Sequence, residues 1–175
     1  MANREALRQL QSRLAERLQA AKSQTSQVTW LAVECASHGL LVPLATAGEI
    51  FPAGALLPVP HTQPWFLGVA NLRGGLHGVV DLAAFLGLRA PLARDAVREQ
   101  ARLLAFNAKL GASSAVLVDR LAGLRSRGQM TEIAADGLPR PAFATRMWRD
   151  ADGRRWQEID LAELSRHDQY LAIAA

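Results

Sequence analysis

The chain has a single cysteine, Cys35, a single tyrosine, and aromatic residues at only 6% of its 175 positions. One cysteine excludes an internal disulfide, and its place in an apolar, strand-like run suits a small core hydrophobe. Long apolar runs are also missing: none reaches bilayer length, and residues 1–22 carry charges throughout, unlike a secretory signal. A cytoplasmic protein without direct membrane insertion is the expectation. Catalytic patterns are lacking as well. His38, His61, His77 and His167 show no ligand spacing, so no metal is expected. No Walker lysine and hydroxyl follow Arg73-Gly74-Gly75, and no dinucleotide fingerprint opens a helix. Cys35 is expected inward and His38 at a turn tip, which separates the one thiol from its nearest imidazole. These gaps lead to the expectation of no enzyme, no catalytic residue and no cofactor.

What the chain does have is a formal charge of +4 and an isoelectric point near 10.2. The basic residues are mostly arginines spread along the sequence, with a partial cluster at Arg120, Arg125 and Arg127. A basic balance reports solubility and nonspecific attraction more than function. Without an aromatic-basic ribonucleoprotein motif, a basic β-barrel that binds nucleic acid is the competing reading and no nucleic acid the preferred one. At 50% hydrophobic and 21% charged residues, the chain suits one globular unit or two intimately packed subdomains.

Residues 3–22 read as a helix, because Leu7, Leu10, Leu14, Leu18 and Ala21 recur at intervals of three and four. The stripe docks either on its own domain, the favoured reading, or on a partner helix. Ser23 to Gln27 is a polar linker. Val28 to Cys35 then alternates as a strand, with Leu31, Val33 and Cys35 on one face and Trp30 and Ala32 on the other. Ala36 to Gly39 is the expected turn and Leu40 to Leu44 the return strand. The prolines from Pro52 to Pro64 impose an irregular loop.

The stretch from Trp65 to Gly87 organises the rest. Leu67 to Leu72 and Leu76 to Val80 are two apolar runs joined by the turn residues Arg73-Gly74-Gly75. Asp81 is placed to cap a short helix that Gly87 ends. After a connector at Ala90 to Gln100, the second half repeats this logic. Leu103 to Phe106 and Ala115 to Val118 form a hairpin that Leu121 to Leu124 extends; Gln129 to Arg140 is loop-like with Ile133 as an anchor, and Phe143 to Trp148 is a strand. A turn at Asp150 to Gly153 leads into Arg155 to Ile159. There Ile159-Asp160-Leu161 echoes Val80-Asp81-Leu82, so Asp81 and Asp160 are both expected as structural helix caps. Two sets of short strands, each closed by a capped helix, argue for a pair of small antiparallel barrels.

Gly68-Val69-Ala70-Asn71-Leu72-Arg73-Gly74, followed by Val79-Val80-Asp81-Leu82 and Leu86-Gly87, resembles the CheW-like family, adaptors that couple chemosensory receptors to a histidine kinase. The resemblance extends more weakly over about residues 30–164. It implies a mainly β fold of two five-stranded SH3-like barrels side by side, with an N-terminal and a short C-terminal helix. Carried onto this chain, residues 1–27 are the N-terminal helix and linker and 28–175 the CheW-like domain, with a first barrel at about 28–89, a second at about 101–164 and a C-terminal helix at about 160–171.

The implied function is a non-enzymatic scaffold in a two-component chemotaxis system, held at membrane receptor arrays. The implied partners are the regulatory domain of a CheA-type histidine kinase and the cytoplasmic tip of a methyl-accepting chemoreceptor. Arg73, Gly74, Gly75, Glu49 and Ile50 are the candidate coupling residues, and Ala47 and Val59 the candidate lining of a receptor groove. From the residues alone, Arg73 either braces its turn through a pair with Glu49 or belongs to a partner surface. The resemblance favours the second. His77-Gly78 stands where the family commonly has valine-proline or leucine-proline. The long extension at residues 3–22 looks like the variant that serves type IV pilus twitching motility, with a flagellar adaptor as the alternative.

Overall fold

The computed structural model describes residues 28–92, 99–134, 137, 139–144 and 146–175. The helix expected at residues 3–22 and its linker lie outside the described residues. The first half runs β1 (Val28–Cys35), β2 (His38–Pro43), β3 (Ala47–Pro52), β4 (Phe66–Leu72), β5 (Gly75–Asp81) and helix α1 (Leu82–Phe85). The second runs β6 (Arg102–Phe106), β7 (Ser114–Val118), β8 (Arg120–Ser126), β9 (Met130–Ile133), β10 (Met147–Asp150), β11 (Arg155–Glu158), α2 (Leu161–Leu164) and α3 (Asp168–Leu171).

The mainly β architecture and the repeat are as the sequence implies, but the halves exchange their parts. One sheet is six-stranded, in the order β8-β1-β2-β11-β10-β9, and the other five-stranded, β3-β6-β7-β5-β4. The hairpins β1-β2, β4-β5, β6-β7 and β10-β11 form where alternation and turn residues place them. Each half then lends its other strands to the opposite hairpin. Strand β5 runs parallel to β7, while β11 runs parallel to β2. Likewise β3 pairs with β6 and β8 with β1. The division expected at 28–89 and 101–164 is therefore not where the sheets divide. Turn chemistry specifies a hairpin locally, whereas a parallel partner is chosen by packing between distant segments.

Smaller corrections follow from the same cause. Leu121 to Leu124 belongs to β8 and does not extend the β6-β7 hairpin. Within the stretch expected to be loop, Met130 to Ile133 forms an edge strand on β10, and buried Met130 supplies more of its anchor than half-buried Ile133. Residues Ala142–Ala144 make a 3-10 turn, with the strand starting at Met147. The C-terminal helix at about 160–171 is two helices, α2 and α3, separated at Ser165 to His167.

Three apolar layers hold the sheets. Trp30, Ala32, Leu41, Met130, Trp148 and Trp156 fill the inside of the six-stranded sheet. Leu67, Leu72, Val79, Leu103, Ala115 and Leu117 fill the inside of the five-stranded one. Between the sheets lies the largest cluster, with Leu31, Val33 and Cys35 from β1, Leu104 and Phe106 from β6, Val116 and Val118 from β7, and both capped helices. The period of two in a strand thus sends alternate side chains into different cores. Tyr170 of α3 is locked into the central layer by ring contacts with Trp65, Phe85 and Phe106 and by its hydroxyl, 2.5 Å from Ser114 Oγ.

Both predicted caps are present. The Asp81 carboxylate accepts from Ala84 N at 3.3 Å, and that of Asp160 from Ala162 N at 2.8 Å and Glu163 N at 3.4 Å. At the far end of α1, Leu88 N donates to Ala83 O and Gly87 N to Ala84 O, the paired bonds of a Schellman ending. Gly68 is needed for a different reason. At φ 127°, a Cβ on it would lie 2.2 Å from Leu57 O, because the proline-rich loop pairs with β4 at Leu57 and Val69.

Asp81 also does something that no pattern announced. It is fully buried, and its Oδ1 receives Arg89 Nη2 at 2.8 Å. The same guanidinium holds Asp119 Oδ1 at 2.6 Å and Oδ2 at 2.8 Å, and Asp119 Oδ2 accepts from Ala36 N at 2.7 Å. Four segments thereby meet: the start of α1, the connector behind it, the β7-β8 junction and the β1-β2 turn. Among the described residues Asp81 Oδ2 has no hydrogen-bond partner, so Arg89 is its main compensation. Arg89→Met should cost about 3 kcal/mol or more in urea unfolding, since removing one member strands two carboxylates. A loss under 1 kcal/mol would show the cluster to be solvated.

Candidate functional site

Register pairs Leu72 with Gly75, leaving Arg73-Gly74 as a two-residue turn. Both have positive φ, 50° for Arg73 and 82° for Gly74, the combination that matches the twist of a hairpin. Asn71 Oδ1 accepts from Gly74 N at 2.8 Å, so the asparagine of the Asn-Leu-Arg-Gly run ties the turn shut. Arg73 is thus presented at the tip on a backbone that only a fixed turn would hold.

Its guanidinium reaches Glu49 Oε1 at 2.7 Å, the pairing expected from sequence. Strands β3 and β4 are opposite edges of the five-stranded sheet, so this contact links one edge to the turn beyond the other. The sheet is curled into a barrel and the ion pair spans its mouth. Both side chains remain wet, Arg73 at 76% and Glu49 at 42% exposure. A pair this exposed contributes little to stability.

Around the pair the candidate residues separate into a rim and a floor. Arg73, Gly74 and Glu49 are exposed and Gly75 is half-buried. Ile50, Ala47 and Val59 are half-buried and pack, with Val69, on the edge of the central layer. Two exposed leucines absent from the expected set belong to the same hairpin or bridge to it. Leu76, three positions past Arg73, is 62% exposed, and Leu57, bridged to Val69, is 65% exposed. A strand pattern assigns Leu76 to a face without saying whether that face is covered. Leu57 falls in a proline-rich loop, where sequence offers no periodicity at all. Replacement of the usual proline by Gly78 leaves β5 regular: Gly78 N donates to Ser113 O at 3.0 Å, a bond proline could not make.

A concavity of about 620 Å³ lies elsewhere, lined by Leu40, Phe85, Leu86, Phe143, Met147 and Ile159 among others. Neither Ala47 nor Val59 lines it.

The basic cluster is largely occupied by the protein itself. Arg120 and Arg154 both hold Glu34 at 2.6 Å. Arg125 and Arg154 lie over the Trp156 ring and Arg127 over Trp148, 4.5 to 5.3 Å from the ring centres. These contacts brace the six-stranded sheet and reduce what could track a phosphate backbone. Burial would raise the Glu34 carboxyl, but the hydrogen bonds and charges of Arg120 and Arg154 outweigh it and hold it below its ordinary range. A lowered folded value means the stabilisation is complete above the unfolded pKa and lost as pH falls through the folded one. The stability gap between the wild type and Glu34→Gln should therefore be constant from pH 8 to about 5 and shrink below the ordinary glutamate value of about 4.3. A gap independent of pH down to 3 would remove the ion pair from the account.

Register sets Cys35 opposite His38, yet Cys35 is fully buried while His38 is exposed, its Nδ1 2.9 Å from Ala36 O. Burial first, then the charge of Asp119, pushes the Cys35 thiol up to about 12. Native protein at pH 8 should resist thiol labelling for hours and label within minutes in denaturant; rapid native labelling would show an accessible thiolate.

Two exchanged sheets, paired capped helices and an arginine-bearing hairpin turn define a class of small, mainly β domains built from two intertwined sheets. Residues 29–169 match the model of the CheW-like domain, and the chain belongs to that family. Among characterised proteins it is similar to Protein PilI of Pseudomonas aeruginosa, 28% identical over 114 residues. The match covers 65% of this chain and 61% of that protein's length. Among solved structures, the scaffolding protein TtCheW from Thermoanaerobacter tengcongensis superposes with a TM-score of 0.62 at 17% identity, over 77% of this chain and 85% of that one. At that identity the likeness concerns the fold alone. Among the described residues no helix is long and apolar enough to cross a membrane.

Proposed function

We propose that the protein is a non-enzymatic adaptor that couples chemoreceptors to a CheA-type histidine kinase in a chemosensory system controlling type IV pilus twitching. It acts by position, holding the kinase's regulatory domain and a receptor tip in one cytoplasmic array beneath the membrane. The observation that carries this reading is the exposed Arg73–Glu49 pair linking the two edges of the five-stranded sheet, on a hairpin that also carries exposed Leu76 and, bridged to its β4 strand, exposed Leu57. An apolar surface with a charged rim suits a protein partner, burial supplying affinity and the rim selecting the partner. Similarity to Protein PilI, together with the long leading segment, supports the pilus pathway over the flagellar one. Ala47 and Val59 would line the groove for the receptor tip, and Arg73, Gly74, Gly75, Glu49 and Ile50 would make the contacts that couple kinase and receptor.

Calorimetric titration against the regulatory domains of the host's chemosensory kinases tests this. Saturable binding to the kinase of the pilus pathway is expected, and no binding to any of them would remove the proposal. Arg73→Glu should weaken binding about tenfold or more while leaving the melting temperature within a degree or two, given the small stability of an exposed pair. The exchanged pair, Arg73→Glu with Glu49→Arg, separates bracing from contact. If it recovers the affinity, Arg73 acts by bracing the mouth; if binding stays weak, the guanidinium itself meets the partner.

A further inference from the structure

We propose that the concavity beside α1 is a binding site for a small amphiphilic anion, an apolar body with a carboxylate head. Its origin lies in the faces of three neighbouring strands. Trp148 of β10 and Trp156 of β11 point to the inside of the six-stranded sheet, so Met147, Arg155 and Gln157, one residue away, face the other side. Parallel register sets Gln157 beside Leu40, and antiparallel register sets it opposite Met147. In the next row Arg155 lies opposite Arg149, and His38 stands two residues before Leu40 on the same face. A row of Leu40, Gln157 and Met147 is thereby flanked by a cationic one.

This face belongs to the layer between the sheets, which β1 fills with Leu31, Val33 and Cys35. On the β2 side, no strand of the five-stranded sheet lines the space among the described residues. The opposing wall is the end of α1 and the 3-10 turn at Ala142–Ala144, through Phe85, Leu86, Leu88 and Phe143. What is left is a cavity of about 620 Å³, within the range of small-molecule sites. Its walls are tied together without a ligand. Arg140 Nη1 donates to Gln157 Oε1, and Gln157 Nε2 donates to Ala144 O at 3.0 Å and Arg146 O at 2.7 Å. A walled cavity suits one small molecule, whereas a partner helix needs anchors that recur over several turns of an open groove.

The sign of the charge comes from the lining. Among the described residues its charged groups are Arg140, Arg154 and Arg155, with the imidazole of His38 and no carboxylate. Arg154 shares the single carboxylate of Glu34 with Arg120, so that group keeps one positive charge in excess. Arg155 is exposed, and its guanidinium forms no ion pair among the described residues. A planar guanidinium beside an apolar cavity is placed to take a carboxylate through two parallel hydrogen bonds, while the body of the ligand displaces water from Phe85 and Phe143. The cavity and the Arg73 turn have no lining residue in common, so the site stands independently of the proposed coupling surface.

The probe is decanoate, kept below its micelle-forming concentration and titrated calorimetrically into the full-length chain. Saturable one-to-one binding is expected, with decyltrimethylammonium at least tenfold weaker. Arg155→Glu should weaken decanoate at least tenfold, and so should Met147→Trp, which fills the cavity with a larger side chain; Arg73→Glu should leave it unchanged. Resistance of native Cys35 to thiol labelling shows that each variant is folded. Absence of saturation by decanoate would overturn the proposal, as would equal affinity for the cation, undiminished binding in either folded cavity variant, or a matching loss in Arg73→Glu. Arg155-dependent pelleting with phosphatidylglycerol vesicles without any binding of decanoate would overturn it too, and assign this face to a membrane surface.

Discussion

The guanidinium of Arg89 is where the two exchanged halves are fastened. It sits between buried Asp81, which starts the helix after the β4-β5 hairpin, and Asp119, which joins β7 to β8 and holds the β1-β2 turn through Ala36 N. Two carboxylates this close would repel if left alone, and one of them has no water contact. The arginine makes their approach possible, and with it the crossing of the chain from one sheet to the other. An ion cluster of this kind adds little net stability compared with apolar packing, but it penalises any arrangement that separates its members.

Around that fastening, the strands do double duty. In β1, β6 and β7 both faces are buried, one in a barrel and one in the layer between the sheets. A strand with two buried faces tolerates neither a register slip nor a polar face, since either would bury an unpaired group. The single thiol, Cys35, is itself part of the layer between the sheets.

The candidate partner surface draws on the same architecture without being part of its core. The Arg73 turn is held by Asn71 and by two left-handed residues, and the pair with Glu49 crosses from one edge of the sheet to the other. Its wet ion pair carries little folding energy. Side chains there are free to change with the partner while the turn beneath them stays put. Leu57 and Leu76 supply the apolar area that charge alone would not.

Local chemistry was legible in the sequence because each signal needs only a few adjacent residues. The hairpin turn at Arg73, the caps at Asp81 and Asp160, the inward face of Cys35 and the repeated strand-to-helix junction are all of this kind. Even the Arg73–Glu49 pair was accessible as a geometric match of fork to carboxylate. What the tertiary structure alone decided was which strands lie next to one another and which faces stay open. The exchange of β3 and β5 against β8 and β11 rests on contacts between segments far apart in the chain, to which no local pattern refers. The Arg89 cluster joins residues whose proximity exists only after that exchange, and the exposure of Leu57, Leu76 and Leu124 depends on what the opposite half leaves uncovered. Hydrogen-bonded turns and caps are short-range and written in order; burial is a property of the assembled whole.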